Sequence, residues 1–189
     1  MSRTKKCMII FLIIILVLVL LSLLIVWLIT MANKIKFHVI DADLTQFNFT
    51  DDKQLLFDLT VNMKVKNPNR AFGVFFDRIE VTVLYQDIKF SNASLSPFYQ
   101  AQDGSKLLKL KFDGQQLMNL NAEQLAVFGL EKLVETFTLK LELRLQIRVN
   151  IDLIKIKLKP KVRCGLNLPL ISRGRTFLRF QIIGCHVAY

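Results

Sequence analysis

Phe137-Thr138-Leu139-Lys140-Leu141-Glu142-Leu143-Arg144-Leu145-Gln146-Ile147-Arg148-Val149-Asn150-Ile151-Asp152-Leu153 alternates apolar and polar residues over seventeen positions. Successive side chains of a β-strand point to opposite faces, so such a run reads as a strand with one buried and one solvated face. The run is long for one strand. Its phase slips at Leu153-Ile154, after which Ile154, Ile156 and Leu158 carry the apolar positions. A bulge or bend there is expected to keep both halves on the core.

The same period recurs in Phe57, Leu59, Val61, Met63 and Val65, which alternate with Asp58, Thr60, Asn62, Lys64 and Lys66. Further strands are expected at 36–44, 79–85, 88–90, 105–112, 161–168 and 176–187. Turn chemistry separates them at Asn67-Pro68-Asn69, Gln86-Asp87, Ser96-Pro97, Asp103-Gly104, Asp113-Gly114 and Arg173-Gly174. One stretch departs from this period. Leu125, Phe128, Leu130 and Leu133 follow helical spacing, and Asn121 with Gln124 forms a capping-box pattern. One helix is expected over 121–135, interrupted at Gly129. Short strands, frequent turns and a single helix predict an antiparallel β-sandwich.

A different chemistry precedes the sandwich. From Met8 to Ile29 every residue except Ser22 is apolar, and no charge lies between Lys6 and Lys34. A helix of that length is roughly 33 Å long, enough to cross a hydrocarbon core of about 30 Å. A cleaved signal peptide would have a shorter apolar core and small residues at its cleavage site, unlike Leu28-Ile29-Thr30-Met31-Ala32-Asn33. The expected organisation is a short cytoplasmic tail at 1–7, a transmembrane signal-anchor at 8–30 and an outer β domain at 34–189. Arg3, Lys5 and Lys6 before the helix favour a cytoplasmic N-terminus. The sequons Asn48-Phe49-Thr50 and Asn92-Ala93-Ser94 would be usable on the outer face. Few residues join anchor to first strand, so the domain is expected close to the membrane.

Three cysteines fit this topology. Cys7 sits at the cytoplasmic boundary, where palmitoylation and an unmodified thiol are both open. Cys164 and Cys185 fall in the outer part, where an oxidising compartment favours a disulfide; two buried thiols are the alternative.

The net charge is +11, and with Arg3, Lys5 and Lys6 set aside the rest carries +8. The cations are scattered along strand-like segments, with no nucleic-acid motif, so a nucleic-acid partner is not expected. A basic outer face suits anionic lipid headgroups or acidic wall polymers. Catalytic patterns are missing from the chain. His38 and His186 lack ligands at metal spacing, and no phosphate loop or nucleophile elbow occurs. Asp41/Asp43 and Asp51/Asp52 read as solvated residues before cation ligands. Neither cofactor, metal site nor enzymatic activity is expected.

The most distinctive segment follows the Phe57–Lys66 strand: Asn67-Pro68-Asn69-Arg70-Ala71-Phe72-Gly73-Val74-Phe75-Phe76-Asp77. Asn-Pro-Asn stops a strand, and Gly73 is expected to adopt a backbone conformation that other residues resist. Phe72, Phe75 and Phe76 supply apolar mass, as a core plug or a binding surface. This segment resembles the Asn-Pro-Asn-Lys/Arg-x-Ile-Gly-Ile-Tyr-Tyr-Asp motif of the plant NHL proteins (non-race-specific disease resistance/harpin-induced-like). They belong to the group 2 late embryogenesis abundant superfamily, whose shared unit is the WHy (water stress and hypersensitive response) domain. Pro97-Phe98-Tyr99-Gln100-Ala101 resembles the second motif of that family, Pro-Phe-Tyr-Gln-Gly, and Val162-Arg163-Cys164 its Val-Lys-Cys element. Phe75-Phe76 replaces a tyrosine pair, and Ala101 replaces a glycine. The resemblance implies an immunoglobulin- or fibronectin-like sandwich tethered to the plasma membrane. It also implies a role in plant defence, or alternatively as a protectant or membrane-wall adhesion element in water stress.

Overall fold

A computed structural model describes residues 3–31, 34–151, 154–171 and 180–189. It forms two compact units, Met1–Asn33 and Lys34–Tyr189.

The first unit is helix α1 (Arg3–Met31). Within it, Met8–Ile25 is long and apolar enough to cross a membrane, and none of its side chains is buried by the protein. Ser22, the one polar residue of that window, donates its hydroxyl to the Val19 carbonyl at 2.7 Å. The span therefore presents no unsatisfied side-chain donor to its surroundings. Cys7 falls in α1, with its side chain outside the described residues.

The second unit packs two antiparallel sheets on one apolar core. The smaller sheet is built on β1 (Lys36–Phe49), β2 (Gln54–Lys66) and β6 (Ser105–Leu117), with short β10 (Ile183–Gly184) beside β1. The larger runs β11 (His186–Ala188), β9 (Lys161–Pro169), β7 (Thr136–Ile151), β3 (Val74–Tyr85), β4 (Ile88–Leu95). Two further strands, β5 (Phe98–Gln100) and β8 (Ile154–Leu158), pair with β3 and β7 respectively. The period-two pattern places Leu55 through Val65 of β2 and Phe137 through Val149 of β7 on the two inner faces. The fold class read from the sequence, a mainly β antiparallel two-sheet structure with a helix between strands, is the one observed.

Three local readings change. The long alternating run is a hairpin and not one bent strand. Ile151 lies opposite Ile154 and Ile147 opposite Leu158, so β8 returns antiparallel along β7. Paired residues face the same side of a sheet, and these pairs join odd positions of β7 to even positions of β8. The phase slip is the parity change of a reversal; Asp152 and Leu153 lie outside the described residues. β1 runs five residues further than 36–44, because register shifts between Val39 and Asp41 and between Leu44 and Gln46 reset its phase. Phe37, Val39, Ala42, Leu44 and Phe47 consequently all face inward despite their irregular spacing. In place of one strand at 176–187, the described residues form two short strands, β10 and β11, the second running on to Ala188; 172–179, with Arg173-Gly174, is outside the described residues.

Helix α2 (Ala122–Leu133) is continuous through Gly129, contrary to the expected interruption. Asn121 Oδ1 accepts the Gln124 N–H at 2.8 Å, and Gln124 Oε1 accepts the Asn121 N–H at 3.0 Å, which closes the capping box. Phe128 is its buried residue. The Tyr85 hydroxyl donates to Glu131 at 2.7 Å, and the other oxygen of Glu131 accepts the Thr138 N–H at 3.1 Å. These bonds seat α2 at the end of the sandwich opposite the one where Lys34 enters.

Candidate functional site

The two most distinctive sequence segments are brought together. β5 pairs with the start of β3, placing Val74 opposite Gln100, Phe75 opposite Tyr99 and Phe76 opposite Phe98. Residues 78–96 separate the segments in the chain, so their pairing is a property of the fold alone.

Asn67 organises the junction and is 0% exposed. Its Nδ2 donates to the carbonyls of Phe72 at 3.0 Å and Ala101 at 3.1 Å. Its Oδ1 accepts the Asn69 N–H at 3.1 Å and the Asn69 Nδ2 at 3.0 Å. The Asn67 N–H donates to the Gly104 carbonyl, and the Asp103 N–H to that of Asn69. A side-chain amide has two donor sites and an acceptor oxygen, which suits it to a place where loop backbone groups are buried without a strand partner. Pro68 lies in this loop, and Asn69 and Gln100 are buried beside Asn67.

Gly73 serves a different purpose from the expected one. Its backbone is not in the left-handed region; instead, the Tyr99 ring lies against it, and a Cβ would stand 2.1 Å from the Tyr99 hydroxyl. Phe75 and Phe76 belong to β3 and face opposite ways. Phe76 is buried and stacks on Phe98, with centroids 4.6 Å apart. Phe75 meets Tyr99 on the outer face at 4.6 Å, with the Arg148 guanidinium over its ring at 5.1 Å. Arg148 also bonds Asp77 at 2.9 Å. Asp77 is the extra residue at a bulge, since Phe76 lies opposite Ile147 and Arg78 opposite Gln146. Pro97 sits where the edge changes from β4 to β5 and has no N–H to leave unpaired. The motif residues are thus consumed in bending and locking β3, and only Tyr99, 51% exposed, offers a large aromatic surface to solvent.

The remaining residues singled out by sequence lie apart. Asn48 and Asn92 are exposed on β1 and β4, and Asn48 Oδ1 accepts from Lys132 at 3.1 Å. Cys164 and Cys185 are joined by a disulfide. Cys185 stands between β10, which pairs with β1, and β11, which pairs with β9, and its N–H donates to the Phe37 carbonyl. The bridge therefore fastens a strap that touches both sheets. Asp41 accepts from Asn62 at 3.2 Å, and burial, then the Asp41 charge, raises the Asp43 pKa. Among the described residues, no three His, Cys, Asp or Glu side chains gather as a metal site.

Two features escape sequence reading. His38 and His186, at opposite ends of the outer chain, line one open groove of about 290 Å³ with Lys34 and Lys36. On the outer face of the larger sheet, Arg78, Arg144, Lys159 and Lys161 surround a second hollow of about 250 Å³. Basic residues alternating along β7, β8 and β9 signal a cationic face in the sequence, but not that Arg78 of β3 joins them around one hollow.

The profile of LEA_2, late embryogenesis abundant protein, matches residues 62–165, which include the paired segments and Cys164. NDR1/HIN1-like protein 3 of Arabidopsis thaliana is 37% identical over 168 residues, 88% of this chain and 73% of its own length. The chain belongs to the NDR1/HIN1-like family and carries its LEA_2 domain. NDR1/HIN1-like protein 10 of the same plant is 38% identical over 118 residues, 62% of this chain; the match spans only about half, 52%, of that relative. A solution structure of a putative late embryogenesis abundant protein is 14% identical with a TM-score of 0.33, covering 69% of this chain and 72% of that one. Membership in the NDR1/HIN1-like family sets the chain among plant stress- and defence-related proteins.

Proposed function

We propose that this NDR1/HIN1-like chain is a non-enzymatic, single-pass protein of the plant plasma membrane. Its N-terminus is cytoplasmic, and its β-sandwich acts outside the cell in pathogen-triggered defence. The carrying observation is the division of labour between the two units. One is an apolar helix whose sole polar side chain in the window 8–25 is satisfied internally. The other spends its signature residues on internal locking and turns a charged sheet face to solvent. Such a protein works by contact. Glycosidase treatment of the chain expressed in plant cells tests the topology. A mobility shift lost in Asn48→Gln/Asn92→Gln supports an outer sandwich, and protease protection of the N-terminal tail but not of the sandwich in intact cells must accompany it. A knockout line with an unaltered pathogen response would count against the defence role.

A second reading is favoured by the cationic outer face: a protectant or adhesion element that holds membrane to wall in water stress. Salt-sensitive retention of the protein on wall material would support it.

A further inference from the structure

The hollow of about 250 Å³ lies where β3, β7 and the link from β8 to β9 converge. Arg78 comes from β3, Arg144 and Gln146 from β7, Lys159 from the link and Lys161 from β9. The Leu145 N–H donates to the Pro160 carbonyl at 3.1 Å, which pins the link against β7 and sets Leu145 and Pro160 as the floor. Four cations therefore face one carboxylate, Glu80, which Arg78 engages. Among the described residues, Arg144, Lys159 and Lys161 enter no ion pair and are exposed.

The row continues beyond the hollow. Lys157 lies opposite Arg148 and Lys155 opposite Asn150, on the same outer face. Alternate residues of a strand are roughly 6.5–7 Å apart, so Lys155, Lys157, Lys159 and Lys161 form a line of cations about 20 Å long. Lysines on an edge strand such as β8 discourage edge-to-edge pairing, which is the plain explanation for Lys155 and Lys157. It does not account for Arg78 and Arg144, which stand on interior strands.

We infer that this groove binds a linear polyanion of the acidic-polysaccharide class, a polyuronate. The inference deepens the wall-contact reading and rests on the sandwich facing the wall. Guanidinium and ammonium groups would pair with successive carboxylates, and the Gln146 amide is placed to hydrogen-bond sugar hydroxyls. A recessed hollow continued by a straight row fits a strand-shaped ligand. A flat anionic bilayer would meet the rim and leave the hollow empty.

The test uses the full chain in nanodiscs of neutral phosphatidylcholine, titrated with polygalacturonate oligomers. Binding is expected at low ionic strength and should weaken steeply as salt rises. Arg144→Gln/Lys159→Gln/Lys161→Gln should weaken it about tenfold or more. Lys64→Gln/Lys109→Gln/Lys111→Gln removes the same charge from the outer face of the smaller sheet and should leave affinity within about twofold. Should the first variant lose its unfolding transition, Lys161→Gln alone replaces it, with an expected weakening of about threefold. Equal weakening by both triple variants would reduce the effect to net charge and overturn the site. No binding of polygalacturonate, with groove-dependent binding of phosphatidylserine vesicles, would overturn the ligand class in favour of a membrane. A cytoplasmic sandwich in the topology test would sink the wall-contact reading while leaving this in-vitro binding intact, so the two failures are distinguishable.

Discussion

The phenol of Tyr99 lies across Gly73 so closely that a Cβ there would meet the hydroxyl at 2.1 Å and the ring carbon Cζ at 2.5 Å. The relationship joins two segments distant in sequence and explains a glycine whose backbone is not in the left-handed region. Gly73→Ala is expected to push the ring outward and cost about 1–2 kcal/mol, since Tyr99 is half exposed and can move. Adding Tyr99→Ala should then cost less than it does in the wild-type background. Denaturant unfolding of all four proteins measures that coupling, and strict additivity would refute the contact.

Asn67 is the polar centre of the same junction. Asn67→Ala would strand the Phe72 and Ala101 carbonyls and the Asn69 N–H in a buried loop. A loss of about 3 kcal/mol or more is expected, far above a typical surface substitution. Asn67→Asp should be no better, because its carboxylate would face two carbonyl oxygens. Thermal and denaturant melts check both.

The Cys164–Cys185 bridge closes a separation of 21 residues. Its removal as Cys164→Ser/Cys185→Ser should lower stability by about 3 kcal/mol. Hydrogen exchange at the Cys185 amide, which is bonded to Phe37, should accelerate more than exchange in the central strand β7. Uniform acceleration would show that the strap does not loosen first.

Tyr85 is fully buried, and burial, followed by its bond to Glu131, raises its pKa above the usual tyrosine range. The sign follows from the unfolded chain, where tyrosine ionises near about 10. The stabilising contribution is whole below about pH 10 and declines as pH rises towards the folded-state value. Denaturant midpoints measured from pH 8 to 12 should therefore fall above about pH 10. Tyr85→Phe should start less stable, through loss of the Glu131 bond, and show a shallower alkaline decline.

Asn121 closes the capping box that starts α2. Asn121→Ala should cost about 1 kcal/mol, and Asn121→Ser much less. Comparing the two unfolding midpoints separates the cap from general disturbance of the loop.

Much of this fold was legible because strand burial writes itself as a period of two. The inner faces of β2 and β7 could be named residue by residue from spacing, and the α2 cap from Asn121 and Gln124 alone. Legibility failed where the chain changed phase. The two register shifts in β1 hid its second half, and the β7–β8 reversal imitated a bulge because both reset parity. β5, at three residues, is too short for any period to register.

The candidate sites divide in the same way. The sequence by itself determined that an apolar helix precedes a β domain. It also identified the segments 67–77 and 97–101 as the distinctive ones, since composition and local spacing carry that information. Only the tertiary structure decided that those segments pair, that Gly73 makes room for Tyr99, and that Arg78, Arg144, Lys159 and Lys161 surround one hollow. Each of these depends on strand neighbours far apart in the chain, and local alternation specifies which face a side chain takes but not which strand lies beside it.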